Sequence, residues 1–299
     1  MIKRVMITGA NSGVGKDSAR QFALRDETEV VYIVARNPQR AEAARKDLVA
    51  TTGRDIFEVV LMDTTDLNSA RAAAMAIDEP IDALIMNAGG SGGATPGTRT
   101  DYGTTQIFAI NVLGHVVLLE ALLAMNKLTQ VAVFASSEAA RGMLGMPKPK
   151  LATSSVDDFA AVIDGSHWGT SYNGMQDYGL VKYVGSMWMA SLARKYPNIR
   201  FVSISPGGTA GTEIGGTAPA GMRFIVNRIL LPLGLFHSLD TGAKRYLDAV
   251  LDDRYQSGRF YASKRGATGE VVDQATIFPD LENAAYQDNA YEAIHRFIS

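Results

Sequence analysis

The chain has 299 residues, 46% of them hydrophobic and 20% charged, which is enough to bury a sizeable globular core. Its formal net charge of −2 gives no field to draw it to nucleic acid or to an anionic membrane. It has no cysteine, so disulfides, thiolate zinc sites and cysteine nucleophiles are excluded together, and its four histidines, at 115, 167, 237 and 295, lack metal-ligand spacing.

In chain order, short β-branched runs alternate with longer helical patterns. Val5–Ile7 reads as a first strand and Lys16–Leu24 as a first helix. Val30–Val34 is a second strand, followed by a helix over Gln39–Val49. Phe57–Leu61 and Ala83–Met86 are the next strands, and Gly89–Gly93 then reads as a glycine-rich loop over a ligand. A helix over Val112–Met125 leads to a strand at Val131–Ala135. The stretch 141–173 is long for a connection and carries one short helical pattern, Val156–Ile163. A helix over Tyr178–Lys195 and a strand at Phe201–Ser205 follow. A second long segment, 207–238, has an apolar second half, Phe224–Phe236, the most apolar of the later stretches. Asn227, Arg228 and Pro232 interrupt it, and it is too short to span a bilayer. Ser257–Tyr261 is a late strand.

Nearly continuous apolar strands alternating with helices specify the α/β class: a Rossmann-type, doubly wound parallel sheet in three layers, α/β/α. No linker or repeat divides the chain, so residues 1–299 are expected to form one domain with substrate-loop insertions at about 141–173 and 207–238. The N-terminus runs from Met1-Ile2-Lys3-Arg4 straight into strand pattern, without the apolar stretch of a secretory signal. The expectation is a cytoplasmic protein with no transmembrane segment and no nucleic-acid partner.

Between the first strand and first helix lies Thr8-Gly9-Ala10-Asn11-Ser12-Gly13-Val14-Gly15. Glycines let backbone approach a pyrophosphate, and a helix N-terminus offers free N–H groups and a partial positive charge. In this strand–turn–helix setting the pattern marks a dinucleotide site. The second strand closes on Val34-Ala35-Arg36-Asn37, with no carboxylate to hold ribose hydroxyls. Arg36 offers a planar fork of donors to a 2′-phosphate, so NADP(H) is expected to be preferred over NAD(H).

The spacing of Gly9, Gly13 and Gly15 resembles the short-chain dehydrogenase/reductase family. Further motifs of that family follow in order: Met86-Asn87-Ala88-Gly89, Asn111-Val112-Leu113-Gly114-His115, Ser136-Ser137, Tyr178-Gly179-Leu180-Val181-Lys182 and Pro206-Gly207. The resemblance spans roughly residues 1–265. The Asn-x-Leu-Gly-His motif, the long gap from Ser137 to Tyr178 and the late strand are most similar to the retinol dehydrogenase and protochlorophyllide reductase branch. Light-dependent reductases of that branch carry a cysteine after the Pro-Gly pair. Here that position is Gly208, which argues against protochlorophyllide reduction.

The resemblance implies a catalytic set of Asn111, Ser137, Tyr178 and Lys182. It implies a cofactor wall of Gly9, Asn11, Ser12, Gly13, Val14, Gly15, Arg36, Asp63, Thr64, Asn87, Ala88, Gly89, Tyr178, Lys182, Pro206, Gly207, Thr209 and Thr212. Tyr178 and Lys182 are four apart and share a helix face. A phenol has a pKa of about 10, and a nearby ammonium is expected to lower it. Tyr178 then exchanges a proton with a carbonyl or alcohol oxygen that Ser137 also holds, while Asn111, by resemblance, holds a water linked to Lys182. The function implied is NADPH-dependent reduction of a carbonyl, or oxidation of the alcohol, with a lipophilic or bulky small-molecule substrate. The same site supports reduction of an activated carbon–carbon double bond, and a third reading is a cofactor-sensing protein without turnover. His115 is expected to pack or cap, His167-Trp168 to line a pocket or an exposed loop, and Met187–Met189 to serve core or subunit contact. The resemblance allows a homo-oligomer through helices beside the active site, where the 141–173 insertion would obstruct packing.

Overall fold

A computed structural model describes residues 1–90, 98–142, 148–169, 174–209 and 236–298 of the chain. The β-branched runs form one eight-stranded sheet: β1 (Arg4–Thr8), β2 (Val30–Ala35), β3 (Phe57–Leu61), β4 (Ile81–Met86), β5 (Leu128–Ala135), β6 (Arg200–Ile204), β7 (Arg259–Arg265) and β8 (Thr268–Asp273). Their order is β3-β2-β1-β4-β5-β6-β7-β8. Every neighbouring pair is parallel except β7 with β8. Val5 lies between Val31 of β2 and Ala83 of β4, so the winding reverses at β1. A crevice opens beyond the carboxyl ends of the strands at such a switch point.

Side chains alternate across the sheet, and each face has its own core. Val5, Ile7, Ile33, Ile85 and Val133 pack with α1 (Gly13–Ala23), α2 (Pro38–Thr52) and α7 (Leu239–Leu251). Met6, Tyr32, Leu84 and Phe134 pack with α3 (Leu67–Met75), α4 (Gln106–Ala124) and α6 (Gly174–Lys195). Outside α6 lie α5 (Val156–Asp164) and α8 (Ala284–His295). This is the three-layer, doubly wound architecture the strand–helix alternation specifies.

Differences from the sequence reading sit at element ends. The first helix begins at Gly13, because its glycines form the opening turn itself. The helix expected from Val112 begins at Gln106, where the Thr105 hydroxyl accepts from Phe108 N–H and caps it. Its first part winds as a π turn over Ala109–Leu113. The last parallel strand starts at Arg259, after a turn in which Gly258 sits at φ +79 and the Ser257 hydroxyl accepts from Phe201 N–H. Helices α7 and α8 and the antiparallel β8 add to the elements read from the sequence.

By length and composition alone, Gln106–Ala124 is apolar enough to cross a membrane, but 78% of its most apolar window is buried within this fold. The stretch 224–235, which the sequence singled out as apolar, lies outside the described residues. Met187, Trp188 and Met189 are all buried in the core, which excludes them as a subunit contact.

Candidate active site

The glycine turn leaves β1 with Gly9 at φ +69 and Gly13 at φ +56, backbone that side chains rarely adopt. Gly15 stands behind the turn: a Cβ there would come within 2.6 Å of Gly9 O and 2.4 Å of Asn87 Nδ2. Ser12, the residue before α1, makes no side-chain cap bond, and the first turn holds no acidic residue. The helix therefore presents uncapped N–H groups to a cleft of about 420 Å³. A dinucleotide pyrophosphate fits that cradle.

Gly9, Asn11, Ser12, Gly13, Val14, Arg36, Asp63, Thr64, Asn87, Ala88, Gly89, Tyr178, Lys182 and Pro206 all line this cleft. Arg36 is at its outer end, three-quarters exposed and 3.8 Å from the Asp63 carboxylate. Sequence reasoning missed Arg40 beside it, although the Asn37-Pro38 helix start signalled it: Asn37 Oδ1 accepts from Arg40 N–H at 2.8 Å, placing Arg40 on the same rim. Gly207 and Thr209 do not line the described cleft. Thr209 Oγ1 turns back on the carbonyls of Pro206 and Gly207, at 3.3 and 3.1 Å, and serves the turn instead. Thr212 and residues 91–93 of the glycine-rich loop lie outside the described residues.

At the inner end, α6 brings Tyr178 and Lys182 to one face, as their spacing requires. Ser137, which follows β5, stands by the Tyr178 hydroxyl and acts to lower its pKa, while its own Oγ accepts from Ala139 N–H at 3.2 Å. Lys182 Nζ donates to Ala135 O at 2.8 Å and lies 5.7 Å from the centre of the Tyr178 ring. Ser136 pairs instead with Ser186, Oγ to Oγ at 2.8 Å, in the strand-end role expected of it.

One electrostatic expectation is overturned. The ammonium does not lower the Tyr178 pKa here. Burial pushes the phenol up to about 12, with Ser137 acting against it and Glu138 acting with it. Burial also brings Lys182 down to about 7. Desolvation is the largest cause for both groups, and it disfavours each charged form. Tyr178 in this state is a proton donor.

Asn111 has protein partners at both ends of its amide. Its side chain is fully buried and does not line the cleft. Its Oδ1 accepts from Gly90 N–H at 2.9 Å, and its Nδ2 donates to Gly90 O at 3.0 Å and Ile107 O at 2.9 Å. It acts as a clamp on the loop after β4, so "positioning" describes it better than "catalytic". A Cβ on Gly89 would come 2.5 Å from Asn111 Oδ1 and 3.5 Å from Lys182 Nζ, so only glycine fits between them.

Glu138 stands in no motif or spacing pattern. This buried carboxylate accepts from Ser205 Oγ at 2.5 Å and from Ser263 N–H at 3.2 Å, and lies 3.6 Å from Arg245 Nη1. It ties the residue after Ser137 to the ends of β6 and β7. Tyr246, its neighbour on α7, adds an aromatic wall to the cleft. His167 and Trp168 line a separate cavity of about 300 Å³ with Lys148 and Lys150, and no residue is shared between the two cavities.

An uncapped glycine cradle at one end of a switch-point cleft, and a tyrosine–lysine pair with a serine at the other, define a dinucleotide-binding protein of the Rossmann class. Residues 3–147 match the family described as short chain dehydrogenase. The chain is similar to the short-chain dehydrogenase/reductase family and, within it, to the retinol dehydrogenase-like branch. It is 35% identical to human retinol dehydrogenase 11 over 128 residues, 42% of this chain and 39% of that protein. The match therefore spans well under half of that relative's length. Over 277 residues, 91% of each chain, it is 27% identical to the short-chain dehydrogenase chyC of Penicillium rubens. In fold it resembles a short-chain dehydrogenase from Burkholderia cenocepacia in complex with NADP, with a TM-score of 0.64 and 22% identity over 89% of this chain and 98% of that one.

Proposed function

We propose that the protein is an NADPH-dependent reductase of lipophilic or bulky carbonyl compounds, or the dehydrogenase of the matching alcohols. The observation that carries this reading is that Tyr178 and Lys182, on one helix face with Ser137 beside the phenol, line a cleft whose other end is the glycine cradle. A dinucleotide with its pyrophosphate in that cradle would extend its nicotinamide toward Tyr178 and supply or receive the hydride. A carbonyl oxygen at the Ser137–Tyr178 pair accepts from both hydroxyls, and the phenol, protonated at neutral pH, delivers the proton. Lys182 Nζ stands on the same side of the site, 5.7 Å from the centre of the Tyr178 ring. Asn111 and Gly90 hold the inner wall in place.

Preference for NADPH is supported by the cationic rim of Arg36 and Arg40 where β2 closes without a carboxylate. The exposed Arg36–Asp63 contact is weak in water, so Arg36 can turn to a phosphate at little cost. The Burkholderia structure, with NADP, goes the same way. A lipophilic substrate is supported by the likeness to retinol dehydrogenase 11. Cytoplasmic location accompanies this reading and is checked by cell fractionation. A panel of aldehydes and ketones of rising apolar bulk, assayed with NADPH and with NADH, tests it. NADPH oxidation that grows more efficient with bulk supports it; no turnover across the panel, or equal use of NADH, overturns it.

A further inference from the structure

His115 lies one turn after Asn111 on α4, is fully buried and does not itself line the cleft. We propose that His115 is a positioning residue whose neutral ring, protonated on Nδ1, locks the turn carrying Asn111 to the dinucleotide end of β1.

The direction of each hydrogen bond follows from its partners. His115 Nδ1 lies 3.2 Å from the Asn111 backbone oxygen, which only accepts, so Nδ1 carries the proton. Nε2 of a neutral ring is then an acceptor, and its partner at 2.9 Å is the Thr8 hydroxyl, which donates. That hydroxyl oxygen accepts from Ala88 N–H at 2.9 Å. The chain runs one way: Ala88 N–H to Thr8, Thr8 O–H to His115, His115 N–H to Asn111. Thr8 also accepts from Asn87 Nδ2 through its backbone oxygen, at 2.9 Å.

The second tie closes the circuit. Asn111 holds Gly90 through both ends of its amide. The loop after β4 is thus held at Ala88 through Thr8 and at Gly90 through Asn111, and His115 joins the two holders. The π turn at Ala109–Leu113 puts Asn111 at the centre of this arrangement. Such turns are rare and frequent at functional sites.

A cationic ring would be held less well. It would aim an N–H at the Thr8 hydroxyl, whose other acceptor, Ile85 O, is 3.5 Å away. Burial brings the ring pKa to about 3, and the Lys182 charge acts in the same direction.

Two measurements test the proposal. In wild-type protein with ¹⁵N-labelled histidine, NMR should show one histidine held as the Nδ1–H tautomer and unchanged from pH 8 to pH 5. The signal is assigned by its loss in His115→Phe or, where that variant does not fold, by its shift in Thr8→Val. An Nε2–H tautomer, or a cation at pH 7, overturns the proposal. This readout needs neither cofactor nor turnover. The second measurement rests on the NADPH reading above: Kd for NADPH and kcat in His115→Phe, Thr8→Val and the double variant. Each single change should weaken one or both by about tenfold, the upper range for one hydrogen bond. The double variant should be little worse than either single one, because both break the same chain. Losses that multiply overturn the link. Unchanged histidine NMR with no NADPH binding at all would instead overturn the cofactor reading.

Discussion

The two ends of the cleft hold charge in opposite ways. At the outer end Arg36 is three-quarters exposed, and its ion pair with Asp63 spans 3.8 Å in contact with water. At the inner end Lys182 and its partners are desolvated, and their proton affinities are displaced in opposite directions, the phenol up and the ammonium down. Exposed charge is cheap to rearrange and suits selection between two similar cofactors. Buried charge is costly, so its proton sits where the fold puts it, which suits proton transfer. The inner end should therefore break with loss of chemistry, and the outer end with loss of selectivity only.

The largest effect is expected at the inner end. Tyr178→Phe removes the proton donor and keeps the ring, so kcat should fall about 100- to 10,000-fold. NADPH affinity, measured by fluorescence titration, should change little. A loss below about tenfold would mean that another group donates the proton.

An intermediate effect is expected at the outer end. Arg36→Ala should remove most of the preference for NADPH over NADH, about 10- to 150-fold for a hydrogen bond to a charged group. Turnover with saturating cofactor should stay near wild type. If the variant keeps the full preference at fixed low salt, Arg40 or another rim group reads the phosphate.

The last effect is on stability rather than turnover and concerns the buried ring of His115. Its pKa is about 3 in the fold against an ordinary 6.5, so the unfolded chain takes up the proton first as pH falls. The stability that a neutral ring contributes is complete above about pH 6.5 and is lost progressively toward pH 3, by up to about 1.4 kcal/mol per pH unit. Urea midpoints of wild type and His115→Phe should therefore converge between pH 7 and pH 4. Parallel curves would show that the ring is not held neutral by burial.

This contrast also explains what was legible in the sequence. The outer end rests on local chemistry: the Gly9–Gly15 turn and the strand end at Arg36 are contiguous, and both stand where the pattern put them. The Tyr178–Lys182 pairing was legible because four residues make one helical turn. The sign of the Tyr178 shift was not, because it depends on how much water the fold removes. Nor were the parts that hold the site. Glu138 meets Ser205 and Arg245, and His115 meets Thr8, only after the sheet brings distant segments together. No spacing rule encodes those meetings. Asn111 was found by motif, but its amide is occupied by Gly90 and Ile107, a fact that only the folded loop reveals.

The central claim is hydride transfer to a carbonyl carbon with Tyr178 as proton donor. Wild-type protein and Tyr178→Phe should be mixed with NADPH carrying deuterium at both C4 positions and with an apolar aldehyde, and the product analysed by mass spectrometry and NMR. The account predicts an alcohol with one deuterium on the carbinol carbon in wild type, and almost no product from Tyr178→Phe. Alcohol without deuterium, or Tyr178→Phe turning over as fast as wild type, would contradict it.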